Sequence, residues 1–158
     1  MCSAKDWLRC KVFVSLFTLI IVFGGCATDD IFSRFQYRNE KIQGFTKHFA
    51  EGVFEITQNR FFSVELLIWD GKLSTGENRV YLIVHNSEDK DIEGADLTVV
   101  AKNMETGSTV KAAVLDKGDG LYRTQGLTLD KPGAWEVSVT VVKGGRSDKA
   151  LFSFTTSS

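Results

Sequence analysis

From Val53 to the C-terminus, short apolar runs alternate with turn residues. In 135–142, Trp135 and the next three odd-numbered residues are apolar, whereas the residues between them are polar; this period of two is typical of a strand with one buried face. The predicted strands are 62–69, 79–84, 97–101, 109–115, 121–129, 135–142 and 151–155. Glycine-containing turns separate them, among them Asp70-Gly71, Gly118-Asp119-Gly120 and Pro132-Gly133. The pattern predicts an all-β fold, an antiparallel immunoglobulin-like β-sandwich of about seven or eight strands over residues 53–158.

The large apolar residues within 26–52 follow a different spacing. Ile31, Phe35, Ile42, Phe45 and Phe49 lie 4, 7, 3 and 4 positions apart, which is the spacing of one helix face. Gly44 disfavours a continuous helix. The segment is predicted to be an aromatic-rich tether. It is either an amphipathic helix lying on a membrane, where its basic residues suit anionic headgroups, or a short helix or tether packed on the domain.

An apolar run over 12–23 follows Lys5, Arg9 and Lys11 and ends at Gly24-Gly25-Cys26. This order is typical of a secretory signal peptide. It resembles the lipobox of bacterial lipoproteins, with Phe23 where Leu, Val or Ile is usual. It predicts a signal helix in 1–25, cleavage between Gly25 and Cys26, and lipid on Cys26. An uncleaved anchor and a buried helix are the alternatives, although the run is shorter than the roughly 20 residues that span a bilayer.

These predictions place the chain in the bacterial cell envelope, facing the periplasm or the exterior, with the membrane as a partner through lipid such as palmitate on Cys26. Ala27 at the second mature position, in place of Asp, favours the outer membrane. No cysteine follows Cys26, so neither a disulfide nor a thiolate metal site is expected in the mature domain. Removal of 1–25 leaves 16 bases and 19 acids, a net charge of −3. Without a basic block, nucleic acid is not an expected partner.

Two aromatic residues have predicted structural roles. Tyr122 follows the Gly118-Asp119-Gly120 turn, as in the tyrosine corner of immunoglobulin-like sandwiches, where the phenol bonds back to the chain. Trp135 begins an alternating strand after Pro132-Gly133-Ala134 and is predicted to face the core.

The order of these pieces resembles the YtkA-like domain, which is related to the FixH family. The pieces are Gly76-Glu77-Asn78, Glu93-Gly94-Ala95-Asp96-Leu97, Gly118-Asp119-Gly120-Leu121-Tyr122 and Gly133-Ala134-Trp135-Glu136-Val137-Ser138-Val139. The resemblance covers Phe62 to Thr155. It implies an exported or membrane-tethered immunoglobulin-like module, some relatives of which are associated with copper handling or with maturation of respiratory oxidases.

The copper association requires soft or imidazole ligands. The chain beyond Cys26 offers only Met104, His48 and His85, and Met104 and His85 are the candidate ligands. Each of the three also has a structural interpretation. Met104 can be a turn residue, His85 can lie at the end of a strand, and His48 can belong to the tether. No metal and no cofactor are therefore assigned.

An acidic run, Asp89-Lys90-Asp91-Ile92-Glu93-Gly94, matches the opening of a calcium loop. The twelfth position of that loop, where a bidentate glutamate belongs, is Val100. A solvated hairpin turn between Val84 and Leu97 is the favoured interpretation.

No Gly-x-Ser-x-Gly elbow, zinc-spaced histidine pair or phosphate-binding glycine loop occurs in the sequence, so no catalytic residue is assigned and the chain is not expected to be an enzyme. The sequence predicts a non-catalytic, lipid-anchored module that engages another envelope protein. The alternative is an accessory protein of copper homeostasis or respiratory oxidase maturation.

Overall fold

A computed structural model describes residues 31–157. Its elements are α1 (Ile31–Arg34), β1 (Tyr37–Ile42), β2 (Phe45–Phe49), β3 (Val53–Ile56), β4 (Phe62–Ile68), β5 (Gly76–Asn78), β6 (Val80–Asn86), β7 (Asp96–Asn103), β8 (Thr109–Gly118), β9 (Leu121–Gln125), β10 (Leu127–Leu129), β11 (Gly133–Lys143) and β12 (Arg146–Thr156). The predicted signal helix, the cleavage site at Gly25 and the lipidation site at Cys26 lie outside the described residues.

Eight of these strands form the sandwich, and the predicted all-β antiparallel fold is confirmed. Their order is β12-β11-β7-β8-β9-β6-β4-β3, with every pairing antiparallel. The first half of β8 pairs with β7 and the second half with β9, so β8 passes from one layer to the other. The main core lies between the layers and contains Val64, Leu82 and Trp135, each at most 1% exposed. The molecule is therefore a sandwich that approaches a barrel.

The prediction of a helix along 31–49 is wrong beyond Arg34. The helix α1 has four residues, and β1 and β2 form a two-stranded hairpin through the pairing of Ile42 with Phe45. Gln43 and Gly44 make the turn, both with positive φ (50° and 99°), as a two-residue hairpin turn with the right-handed twist requires. A spacing of four, as between Phe45 and Phe49, places side chains on one face of a helix and also on one face of a strand.

The N-terminal segment 31–52 adds a third layer over β4 and β6. The side chains of β4 and β6 alternate between the two faces of the sheet, but neither face is exposed to solvent. On the face away from the main core, Leu67, Tyr81 and Ile83 pack with Ile31, Phe35 and Phe49 in a second apolar cluster. Tyr81 and Ile83 are therefore buried, because the hairpin and α1 cover this outer face. Among the described residues, no helix has the length and apolar character needed to cross a bilayer.

The two ends of the eight-stranded sheet approach each other at β3 and β12. The Gln58 N–H donates to the Lys149 carbonyl at 3.0 Å. The Asp148 carboxylate, which is 4% exposed, accepts hydrogen bonds from the N–H groups of Asn59 and Phe61. These contacts bridge the sheet ends, where unpaired backbone groups would otherwise present a template for another strand.

The same contacts perturb the acidity of Asp148. Burial by itself would raise the pKa of Asp148, but hydrogen bonds from Thr57 and from the N–H groups of Asn59, Lys149 and Phe61 outweigh burial and lower that pKa. The charged carboxylate therefore stabilises the fold above the unfolded-state pKa of about 4, and the contribution is lost as the pH falls through the lower folded-state value.

We expect Asp148→Asn to lower the free energy of unfolding by about 2 kcal/mol at neutral pH, because hydrogen bonds to a charged acceptor are replaced by weaker ones. The deficit relative to wild type should shrink at about pH 3, because the Asp148 carboxyl of the unfolded chain is protonated below its pKa of about 4 and the advantage of the charged folded form declines from there. Urea unfolding at the two pH values measures it, with Asp96→Asn at an exposed position as the control. An equal deficit at both pH values would show that the charge of Asp148 contributes nothing.

Candidate functional site

Three polar residues lie buried on the outer face of β4 and β6. Side chains of β4 alternate between its two faces, so Ser63 and Glu65 lie on the same face as Leu67 of the second cluster. On β6, His85 lies on this face as well. Ser63 and Glu65 are 0% exposed and His85 is 2% exposed. Ser63 pairs with His85 in the strand register, so their side chains are neighbours, with 3.4 Å between Ser63 Oγ and His85 Nδ1.

Glu65 holds the hairpin against the sandwich. Its carboxylate accepts hydrogen bonds from the backbone N–H of His48 at 2.7 Å and of Phe49 at 2.9 Å. Its Oε2 also lies 3.5 Å from His48 Nδ1. Gly52 allows the carboxylate to occupy this place, because a Cβ at Gly52 would lie 2.2 Å from Glu65 Oε1. The buried charge thus satisfies backbone donors of β2 that pair with no strand of the sandwich.

Two histidines meet where β2 crosses the end of β6. The rings of His48 and His85 stack with centroids 4.9 Å apart and an angle of 13° between their planes. His85 Nε2 lies 2.9 Å from Asp91 Oδ1, and an isolated β-bridge joins the two residues. One possible ligand atom from each of His48, His85 and Asp91 lies within 4.8 Å of the others. The arrangement is a set of two imidazoles and one carboxylate.

The environment favours a neutral imidazole at His85. Burial lowers the pKa of His85 most, and the neighbouring His48 lowers it further, while the carboxylates of Asp91, Asp89 and Glu65 oppose both effects. A neutral imidazole has one ring nitrogen free to accept a hydrogen bond or to bind a metal ion.

An open cleft of about 360 Å³ lies beside the histidines. Apolar side chains of Ile31, Ile83 and Leu121 contribute to its lining, together with the charged Lys117 and Asp119. The full set of lining residues is Ile31, Phe32, Tyr37, His48, Ile83, Asp91, Lys117, Gly118, Asp119 and Leu121. Among the aromatic residues within 31–157, Phe32 and Tyr37 are unusual because they are 63% and 54% exposed.

The acidic run 89–94 does not form a calcium loop, since its carboxylates turn to separate partners. Asp89 accepts a hydrogen bond from Thr46 Oγ1 at 2.8 Å and pairs with Lys41. Asp91 faces His85, and Glu93 accepts from the Asp119 N–H at 3.0 Å. The favoured hairpin turn is present locally, because the Asn86 N–H donates to the Lys90 carbonyl and the Ile92 N–H to the Val84 carbonyl, each at 3.0 Å. It does not join β6 to β7, since β6 pairs with β4 and β9 whereas β7 pairs with β11 and β8. After this turn the run crosses between the two layers.

The fold separates the two candidate metal ligands, Met104 and His85. The chain leaves His85 near the end of β6 and enters β7 at Asp96. Met104 follows the far end of this eight-residue strand, about 26 Å further along at 3.3 Å per residue. Met104 is 54% exposed in a turn. The residue whose ring the structure places against His85 is His48.

Tyr122 and Trp135 both lie in the main core at 1% exposure. The Tyr122 hydroxyl donates to the Ile92 carbonyl at 2.6 Å and accepts from the Ala95 N–H at 3.0 Å, so it ties the crossover to β9. Burial raises the pKa of Tyr122, which keeps the phenol protonated as this donation requires. The Trp135 indole N–H donates to the Lys131 carbonyl at 3.1 Å.

Sequence reasoning did not find Glu65 or the contact of His48 with His85. A signal for Glu65 is present, because it is the one charged residue in 61–68, and a charge inside an apolar strand is expected to be buried with partners. The histidine contact has no such local signal, since His48 and His85 are far apart in the sequence and belong to different layers.

The fold and this site define an immunoglobulin-like sandwich module with an added N-terminal layer. A sequence model of the YtkA-like family matches residues 62–140, half of the chain. The chain belongs to the YtkA-like family, which confirms the resemblance. Searches of curated proteins and of solved structures found no match. The matched residues include His85 and Asp91 but not His48 or the rest of the N-terminal layer.

Proposed function

We propose that this chain is a lipid-anchored, extracytoplasmic and non-catalytic module that binds another protein of the bacterial envelope. The supporting observation is the exposure of Phe32 (63%) and Tyr37 (54%) at an open cleft with apolar lining. Concave sites lined by apolar groups and a few polar ones are typical of binding sites, and aromatic residues are enriched in protein interfaces. The cleft is favoured over a sheet edge because Asp148 and Gln58 bridge the ends of β3 and β12.

The anchor is part of this proposal. The Gly24-Gly25-Cys26 sequence supports export, lipid on Cys26 and attachment to the envelope, with the outer membrane favoured by Ala27. Cys26→Ser should abolish metabolic labelling with palmitate and leave an unprocessed precursor. A normal mature mass in that variant would contradict the anchor while leaving partner binding open.

Site-specific crosslinking in cells tests the binding surface. A photoreactive residue at Phe32 should give a discrete protein adduct, whereas the same residue at Leu151, an exposed apolar position on β12 (39%), should not. Tyr37→Ser should reduce the Phe32 adduct at least about fivefold, since aromatic side chains dominate interface energies. Adducts to lipid alone, or equal protein adducts at both positions, would contradict binding at the cleft.

A second candidate function, an accessory role in copper homeostasis or oxidase maturation, is supported by the cluster of His48, His85 and Asp91. Its nitrogen and oxygen donors suit Cu(II) better than Cu(I), which prefers thiolate and thioether ligands. A chain that takes up neither copper ion in a titration would rule this candidate out.

A further inference from the structure

We propose that His48, His85 and Asp91 bind one divalent ion of the zinc class, and that this ion clasps the N-terminal hairpin to the sandwich. The clasp uses the site that supports the second candidate function, but it does not depend on a role in copper homeostasis. It is also independent of the lipid anchor and of partner binding.

The donor set determines the class of ion. Two imidazoles and one carboxylate suit Zn²⁺ and its neighbours Ni²⁺ and Cu²⁺. Calcium requires six to eight oxygen ligands, and the nearby carboxylates of Asp89 and Glu93 are turned to Thr46 and Asp119. Three protein ligands leave a fourth position of a tetrahedral ion for water, and His48 and Asp91 both line the open cleft.

The surroundings of the two imidazoles resemble those of bound histidines in metal sites. His85 Nδ1 lies 3.4 Å from Ser63 Oγ. His48 Nδ1 is buried without a hydrogen-bond partner and lies 3.5 Å from the Glu65 carboxylate, so a small rotation of the ring would allow its N–H to donate to that carboxylate. A hydrogen bond donated by one ring nitrogen orients the imidazole and increases the basicity of the other nitrogen. Glu65 is itself fixed by the N–H groups of His48 and Phe49, so it can orient the His48 ring.

The distances show what binding must change. His85 Nε2 and Asp91 Oδ1 are 2.9 Å apart, while the widest separation in the set is within 4.8 Å. Ligand atoms about 2.0–2.2 Å from a tetrahedral ion lie roughly 3.3–3.6 Å from one another. His85 Nε2 and Asp91 Oδ1 must therefore move apart by about 0.5 Å, and the stacked His48 ring must tilt out of parallel with His85 to direct a ring nitrogen at the same ion. His48 is only partly buried, with 18% of its side chain exposed, which leaves room for this rotation.

The three ligands come from two different parts of the fold, so a bound ion would link them. His48 belongs to β2, whereas His85 and Asp91 belong to β6 and the crossover that follows it. An ion bound by all three residues stabilises only the state in which the hairpin is docked, so binding is linked to docking. The hairpin also carries Tyr37 and adjoins Phe32, which means that the ion would hold the exposed aromatic residues of the cleft in place.

A zinc titration of the full chain tests the clasp. The chain is purified in detergent without a histidine tag, and its cysteine thiols are alkylated to remove thiolate binding. Wild type should bind one Zn²⁺ per chain. His48→Gln should weaken binding at least about tenfold, and so should Asp91→Asn. Met104→Ala and Asp96→Asn, at exposed positions away from the cluster, should bind as wild type does.

Hydrogen exchange shows whether the ion acts on the hairpin. Zinc should slow amide exchange in β2 of wild type and should not slow it in β2 of His48→Gln. No saturable uptake by folded wild type, or equal affinity in His48→Gln, would overturn the proposal. Bound zinc that leaves exchange in β2 unchanged would overturn it as well, because the ion would then lie elsewhere.

Discussion

Replacement of Glu65 by alanine is expected to lower the free energy of unfolding by about 2–5 kcal/mol and to release β2 from the sandwich. The carboxylate is fully buried and accepts the N–H groups of His48 and Phe49. Without it, these donors lose their acceptor in an apolar layer, and each unsatisfied buried group costs about 1–3 kcal/mol. Urea unfolding measures the loss, and faster amide exchange at His48 and Phe49 locates it.

Glu55→Ala is the matched control, because Glu55 lies on the adjacent β3 and is exposed. Its effect should stay within about 0.5 kcal/mol. A second variant, Gly52→Ala, displaces the same carboxylate without deleting it, since the added Cβ would lie 2.2 Å from Glu65 Oε1. If Glu65→Ala were no more destabilising than Glu55→Ala, the hairpin would be held by its apolar contacts alone.

Replacement of Trp135 by alanine should destabilise the whole fold by about 3–5 kcal/mol, the usual cost of deleting a large buried aromatic side chain. Trp135 is 1% exposed on β11, whose neighbours β7 and β12 supply much of the main core. The substitution leaves a cavity in the main core, and the Lys131 carbonyl also loses its indole donor.

Thermal and urea unfolding measure this effect, and Trp135→Phe provides the graded control because it keeps a ring in the core. We expect the phenylalanine variant to lie between wild type and Trp135→Ala. The two large effects should differ in kind: Trp135→Ala speeds amide exchange throughout the sandwich, whereas Glu65→Ala speeds it first in β2. A loss below about 1 kcal/mol for Trp135→Ala would mean that the core collapses onto the vacated space.

Much of the sandwich is predictable because its signals are local. The predicted strand 62–69 corresponds to β4 (Phe62–Ile68), and 135–142 lies within β11 (Gly133–Lys143). The glycine that interrupts 121–129 separates β9 from β10, and Gly126 has a positive φ of 71°. A period of two and a glycine in a left-handed conformation are properties of a few consecutive residues, so they can be recognised without knowing which strands pair.

The N-terminal layer was not predictable in the same way. The spacing of Phe45 and Phe49 fits a helix and a strand equally. Gly44 could interrupt a helix or form the turn between two strands. The conformation of this segment is determined by the sheet on which it packs. Leu67, Tyr81 and Ile83 present an apolar outer face, and their burial by the hairpin contributes about 25 cal/mol for each Å² of apolar surface removed from water.

The all-β character, the positions of most strands and turns, and the resemblance to the YtkA-like family can be recognised from the sequence. These follow from periodicity and turn chemistry, which act over a few residues. The folded structure is needed to show that His48 lies against His85, that Glu65 holds β2 and that Met104 follows the far end of β7. These contacts depend on which strands become neighbours and in which register, and such long-range pairing leaves no mark in the spacing of residues along the chain.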